Sequence, residues 1–304
     1  MRNLAVELRR LLSRRLIRVL ALVVLVSILF GGIMGAIKAR ENEDRAPSSQ
    51  QSQQAERFEE RELKRCLSGR YGPVPDDPQE ARDFCESHMS FEVPDPRLYL
   101  TNITNVLLGI SAIIMILLWL VGASFIGAEW RHDTITTLLT WEPRRIRLML
   151  AKVAAVVLFS FVAALLIQVL TGAVVAPSAY AFGSTAGADA VWLWDLIEQT
   201  LRIAGVGALI GVVGFALASL GRNTAAALGV GFAYVVVVEN LIRALKPQWQ
   251  PWFFTDNAVI VVTADADAFT QIDHTVGQAA TVIVGYMVLL LLAAIAVFRS
   301  RDVT

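Results

Sequence analysis

The chain has 304 residues, 55% of them apolar and 18% charged, and its 27 basic and 27 acidic residues cancel. A mean hydropathy of +0.55 lies outside the usual soluble range. The balanced charge leaves no basic excess to suggest nucleic-acid binding.

A helix needs about 20 apolar residues to cross the hydrocarbon core of a bilayer. Six blocks meet that test: 16–37, 103–127, 152–176, 197–220, 224–245 and 278–298. The expected fold is an all-α polytopic membrane protein with six transmembrane helices, one transmembrane unit over 1–304 with an insertion at 38–101 between spans one and two. Arginines ahead of the first block imitate a signal peptide, but the block is too long for one and no small-x-small site follows Gly35. It reads as a retained span.

Basic residues near the span ends set orientation. Arg9, Arg10, Arg14, Arg15 and Arg18 precede span one; Arg131, Arg144, Arg145, Arg147 and Lys152 occupy the link between spans two and three. Arg222 sits between spans four and five, and Arg299 and Arg301 follow span six. An even number of spans puts all four clusters on one side, so the expectation is a multi-pass protein of the cytoplasmic (inner) membrane with both termini cytoplasmic.

Leu4, Leu8, Leu11 and Leu12 recur at helical spacing within 2–15, opposite arginines. An amphipathic helix on the membrane surface or an extension of span one fits that pattern. In span one, Gly31 and Gly35 form a small-xxx-small pair suited to close helix packing.

The insertion is polar from Pro47 to Gln54, then helical in composition over Ala55–Leu67. After a Gly/Pro-rich turn, Asp77 is an N-cap and Pro78 a first-turn residue for a second helix reaching about Ser87. Each helix carries one of the chain's two cysteines, Cys66 and Cys85. On the external side they read as a disulfide, which would stabilise this helical extracytoplasmic subdomain by roughly 3 kcal/mol; the other reading is two free thiols. His88 with two cysteines makes no four-ligand zinc site.

The stretch Ala128–Lys152 is a mostly hydrophilic link between two apolar spans. Ile135, Leu138 and Leu139 share one helical face, Arg131, Thr134 and Thr137 lie away from it, and Pro143 ends the helix. A short helix parallel to the membrane, then a basic turn into span three, is the expected form.

Pro177–Asp189 reads as an external loop, with Trp192 and Trp194 as interfacial anchors. Small residues at spacing four (Gly207 with Gly211, Gly214 with Ala218, then Ala225, Gly229 and Ala233) predict that spans four and five pack as a close antiparallel hairpin. Glu239 and Arg243 lie one turn apart near the outer end of span five. They form either an i,i+4 ion pair or part of a translocation path or outer gate. Trp249, Trp252, Phe253 and Phe254 precede the apolar run Ala258–Val262, a segment expected to dip back into the outer interface; His274 reads as a loop residue.

No GxxxxGK[ST] phosphate loop and no HExxH occur. The three histidines fall in loops and the spans carry no aspartate pair, so the chain is not expected to be an enzyme and no cofactor is assigned to it.

This organisation resembles the permease subunit of type-2 ATP-binding-cassette (ABC) exporters. The most specific match is the link, where Glu129, Thr134, Leu138, Leu139, Pro143, Arg144 and Arg145 follow the family's order of acid, threonine, paired leucines, proline and basic residues, with Asp133 where glycine is usual. The resemblance implies that the link is a coupling helix, also including Arg131, that docks on a separate cytoplasmic ATPase subunit carrying ATP and Mg. It further implies a second permease chain, as a homo- or heterodimer with spans one and five near the path. A different class remains open: a signalling or scaffold protein whose outer subdomain senses a ligand and whose cytoplasmic helix passes on motion without transport.

Overall fold

The structure is a computed structural model that describes residues 2–45, 49–70, 75, 77–88, 97–131, 145–264 and 272–300. Its regular elements there are helical, with one isolated bridge between Tyr99 and Ser184. A short helix α1 (Arg2–Leu12) leads into α2 (Arg15–Arg45), and α3 (Ser49–Leu67) and α4 (Pro78–His88) follow. Then come α5 (Ile103–Arg131), α6 (Arg145–Phe182) and α7 (Ala190–Gly221). The fifth span is α8 (Thr224–Phe232), a π-helical stretch Ala233–Val238 and α9 (Glu239–Leu245); α10 (Phe254–Thr263) and α11 (Val276–Ser300) complete the chain. Six helices are long and apolar enough to cross a bilayer, which fits a multi-pass membrane protein.

The six expected spans are present, the fifth with the expected bounds and the other five with longer helices. The third extends through Pro177 to Phe182, where a loop was expected. Proline removes one helical hydrogen bond, but Ala179 is buried against Leu100, Ile103 and Leu107 and the Ser178 hydroxyl bonds to the Val175 carbonyl at 2.7 Å. Tertiary packing overrides the local breaker. At 38 residues this helix is about 57 Å long, well beyond a bilayer core. α7 also begins earlier than expected: Asp189 caps it by accepting the Trp192 N–H at 2.8 Å. Trp192 is partly buried and donates its indole N–H to Thr104 at 3.1 Å, whereas Trp194 is exposed.

α7 is the hub. Two thirds of its apolar window (67%) is buried, against 6% for span one and 11% for span five. It packs against α5, α6 and α11, while α2 leans on α6 alone among the spans it contacts extensively. Glycines set the closest approaches. A Cβ on Gly122 would overlap the Gly211 carbonyl, and the Trp119 ring fills the space that Cβ atoms on Gly214 and Gly231 would need. In span one the expected pair is not the contact: Cβ atoms on Gly31 or Gly35 would meet nothing, and Gly32 abuts Val174 of α6 instead. The turn between spans four and five puts Arg222 in the left-handed region at φ 51°, and Asn223 then caps α8 through the Ala225 N–H at 2.9 Å.

The insertion forms an α3–α4 hairpin joined by a Cys66–Cys85 disulfide, with both cysteines buried. Asp77 accepts the Gln79 N–H at 2.8 Å, as an N-cap should. α3 starts at Ser49, so helix begins within the polar run, ahead of the helical composition expected from Ala55.

Candidate functional site

Two polar constellations stand out of this apolar bundle, one at each end. The first surrounds Lys152, in the second turn of α6. Its ammonium is 1% exposed and donates to Glu7 Oε2 and Glu129 Oε1, both at 2.8 Å. Glu7 comes from α1 and Glu129 from the last turn of α5, and both are buried. Arg14, in the joint between α1 and α2, lies 3.5 Å from Glu129 Oε1. Its guanidinium donates to the Ser124 and Phe125 carbonyls at 2.8 and 2.9 Å. Arg10 closes the cluster on Glu7 Oε1 at 3.0 Å. Lys152 and Arg14 both lie over the Phe125 ring, 5.0 and 4.9 Å from its centroid.

Buried charges persist only when paired and hydrogen-bonded, and here acids and bases interleave. Burial pulls the Arg14 guanidinium below its ordinary value, while the fields of Glu129 and Glu7 oppose that shift. α1 therefore does more than lie on a surface. Leu11 is fully buried in the cluster that holds Phe125, Met149 and Phe298, and Glu7 lies one turn before it.

The other side of the α5 terminus is clasped as well. Trp130 packs edge-on against Phe298 of α11, with centroids 6.0 Å apart, and Arg222 from the span four–five turn covers it at 4.7 Å. Arg145, the first residue of α6, reaches the Phe298 carbonyl at 3.5 Å. The segment 132–144 thus leaves from and returns to anchored helix ends.

Among the expected coupling residues, Glu129 is a buried ion-pair partner rather than a surface group. Arg131 is exposed at the end of α5. Thr134, Leu138, Leu139, Pro143 and Arg144 lie outside the described residues, as does Asp133.

The second constellation joins span five to α10. Glu239 is 1% exposed. Its Oε1 accepts the Phe254 and Thr255 N–H groups at 2.9 and 3.3 Å, and its Oε2 accepts the Thr255 hydroxyl. These amides open α10, whose own N-cap position, Phe253, has no side-chain acceptor. Glu239 is thus a cap supplied from another helix, with its charge at the positive end of the α10 dipole. Arg243 Nη2 pairs with Asp256 at 2.6 Å and the guanidinium stacks over Phe253 at 5.4 Å.

Of the two readings of Glu239 and Arg243, the i,i+4 ion pair is replaced by two separate ties to α10. Accepting two amides and a hydroxyl satisfies a buried carboxylate more fully than one flexible partner would. Asn257, fully buried, donates to the Pro251 and Phe253 carbonyls at 2.9 and 2.7 Å and meets His274 Nδ1 at 3.0 Å, so His274 has a specific partner. Beyond its cap, α10 buries Ile260, Val261 and Val262 among Ile203 and Val206 of α7 and Ile283 of α11. This is the expected apolar segment, folded back into the bundle.

Residues 83–304 match the family described as "Protein of unknown function (DUF2705)". The chain belongs to that family. No curated protein matches it. The DUF2705 match takes in Glu129, Lys152, Glu239, Arg243 and α10 but not α1 or α2. Three of the five charged residues of the first constellation, Glu7, Arg10 and Arg14, thus come from sequence outside the match, as does Cys66, whereas Cys85 falls inside it.

Sequence reasoning missed Glu7, Arg14 and Lys152 as a unit. A signal was present: Glu7, between Leu4 and Leu11, falls on the apolar face of α1, where an acid needs a buried base. For Thr255 and Asp256 no local signal existed, since their partners lie on the preceding span.

Proposed function

We propose that this chain is the transmembrane permease subunit of an ABC transporter, acting as an exporter across the cytoplasmic membrane and driven by a separate ATPase subunit. The observation that carries the reading is the anchoring around 132–144. A segment that receives force from a partner must return it to helices that do not yield, and here both flanking helix ends are held. Glu129 and Lys152 bond to each other at 2.8 Å, and Trp130 is clasped by Phe298 and Arg222. In this reading Leu138 and Leu139 form the docking face of a coupling helix, and Thr134, Pro143, Arg144 and Arg145 shape the turn behind it. Glu129 holds the base of the lever. ATP and Mg belong to the partner, and two permease chains enclose the path.

The same reading puts α1 and both termini on the cytoplasmic side and the α3–α4 hairpin and α10 outside. Glu239 and Arg243 then tie span five, among the least buried spans, to a re-entrant helix at the outer end, a position suited to a gate. Assembly is tested by co-purifying the partner ATPase with the wild-type chain and with Leu138→Asp. Loss of association with an intact permease fold supports docking; equal association and equal ATP turnover contradict it. Glu129→Arg is unsuited to this test, because it places a third base against Lys152 and Arg14.

A further inference from the structure

We propose that Glu7 and Lys152 are positioning residues that route the coupling movement through α1 into span one. The proposal rests on the docking reading above. Three bodies meet at the Lys152 ammonium: α1 through Glu7, the end of α5 through Glu129, and α6 itself, with both bonds at 2.8 Å. The three side chains are buried and a cation–π contact with Phe125 adds to the site, so separating any one partner strands a buried charge. The three elements therefore move as one piece when 132–144 is pushed.

α1 passes to α2 across only Ser13 and Arg14. Arg14 is itself fastened to the Ser124 and Phe125 carbonyls. A displacement of the α5–α6 base is thus delivered to the root of span one. That span is the least embedded of the six, with 6% of its apolar window buried, so little packing resists its tilt. Glu7 is the removable link. Replacing it by glutamine keeps the direct Glu129–Lys152 pair, so the base of the lever stays joined while α1 loses its ionic tie.

The test uses the permease–ATPase complex in nanodiscs, with two probes. Both native cysteines are in the disulfide, so Leu11→Cys, at a fully buried position, is a clean reporter of α1 release. Losing one charge-assisted hydrogen bond predicts that Glu7→Gln raises the maleimide labelling rate at position 11 by about tenfold. Arg10→Gln, which removes only an exposed partner of Glu7, should leave that rate unchanged. Spin labels at Phe30→Cys in span one and Leu245→Cys in span five then report movement on adding ATP and vanadate. Glu7→Gln should abolish the ATP-driven change at position 30 while keeping ATP turnover and the change at position 245.

Unchanged labelling at position 11, or an equal rise with Arg10→Gln, overturns the tether. Faster labelling with a full ATP-driven change at position 30 overturns the route through α1. If the wild-type complex shows no ATP-driven change at either position, the docking reading itself fails and the route falls with it, while the labelling result still stands as a separate measurement of the tether.

Discussion

Lys152 and Glu129, 23 residues apart in the chain, meet at 2.8 Å on either side of the segment 132–144. The helix ends that flank it, the last turn of α5 and the second turn of α6, are thus joined by a buried ion pair. Glu7 on the same ammonium makes it a three-way junction.

Removing the shared cation should be the most damaging single change at this end. Lys152→Met leaves Glu7 and Glu129 buried without their common partner, and breaking a buried pair costs about 3–5 kcal/mol. Thermal unfolding in detergent should show a large fall in midpoint for Lys152→Met and a much smaller one for Arg10→Gln, whose target is a partly exposed pair. Equal midpoints for Lys152→Met and wild type would remove the junction from the account.

At the opposite end, Glu239→Ala strips the α10 N-terminus of its acceptors. A lost helix cap costs about 1–2 kcal/mol, with a further contribution from the dipole. Limited proteolysis should cut between Lys246 and Thr255 faster in Glu239→Ala than in wild type. Glu239→Gln, which keeps an acceptor oxygen, should fall between them. Identical digestion of all three would mean that α10 is held by its apolar face alone.

The glycine contacts give a contrast within one substitution type. Gly122→Ala drives a methyl into the Gly211 carbonyl, a backbone atom that cannot step aside, whereas Cβ atoms on Gly31 and Gly35 meet nothing. Overpacking costs about 1–3 kcal/mol. Gly122→Ala should lower the unfolding midpoint, and Gly31→Ala and Gly35→Ala should be neutral or slightly stabilising, because alanine favours helix. A destabilised Gly35→Ala monomer would contradict the packing described for span one.

The α3–α4 hairpin depends on its staple. Closing a loop with a sequence separation of 19 is worth about 3 kcal/mol in the chain-entropy model. A free-thiol count on protein purified without reductant should be zero. Reduction should open the hairpin to protease near Leu67–Gly69 while leaving the six spans protected. Two reactive thiols in unreduced protein would sink the pairing.

Much of this architecture was legible in the sequence, because it follows from hydrophobic blocks, cap residues and the solitary cysteine pair. Asp77 caps its helix as its residue type suggests, and the run Ala258–Val262 does fold back onto the bundle. What escaped was pairing across long separations. Glu7 and Lys152 are 145 residues apart, and neither has a neighbour that names the other. For Glu239 and Arg243 the ion-pair reading, one of two the sequence allows, fails for the opposite reason. Their spacing offers a ready local pair, but α10 presents two amides and a hydroxyl to Glu239 and a carboxylate to Arg243. Pro177 and Gly31 teach a related lesson: a breaker is tolerated where packing holds the helix, and a small-residue motif needs a partner surface before it means contact.

Docking of an ATPase on Leu138 is tested by a photo-crosslinker at position 138 in the wild-type background, activated in native membranes. It should capture a protein whose sequence carries a GxxxxGK[ST] phosphate loop, and capture should be lost in Leu139→Asp chains that still fold. Crosslinks to lipid or to this chain alone would contradict it.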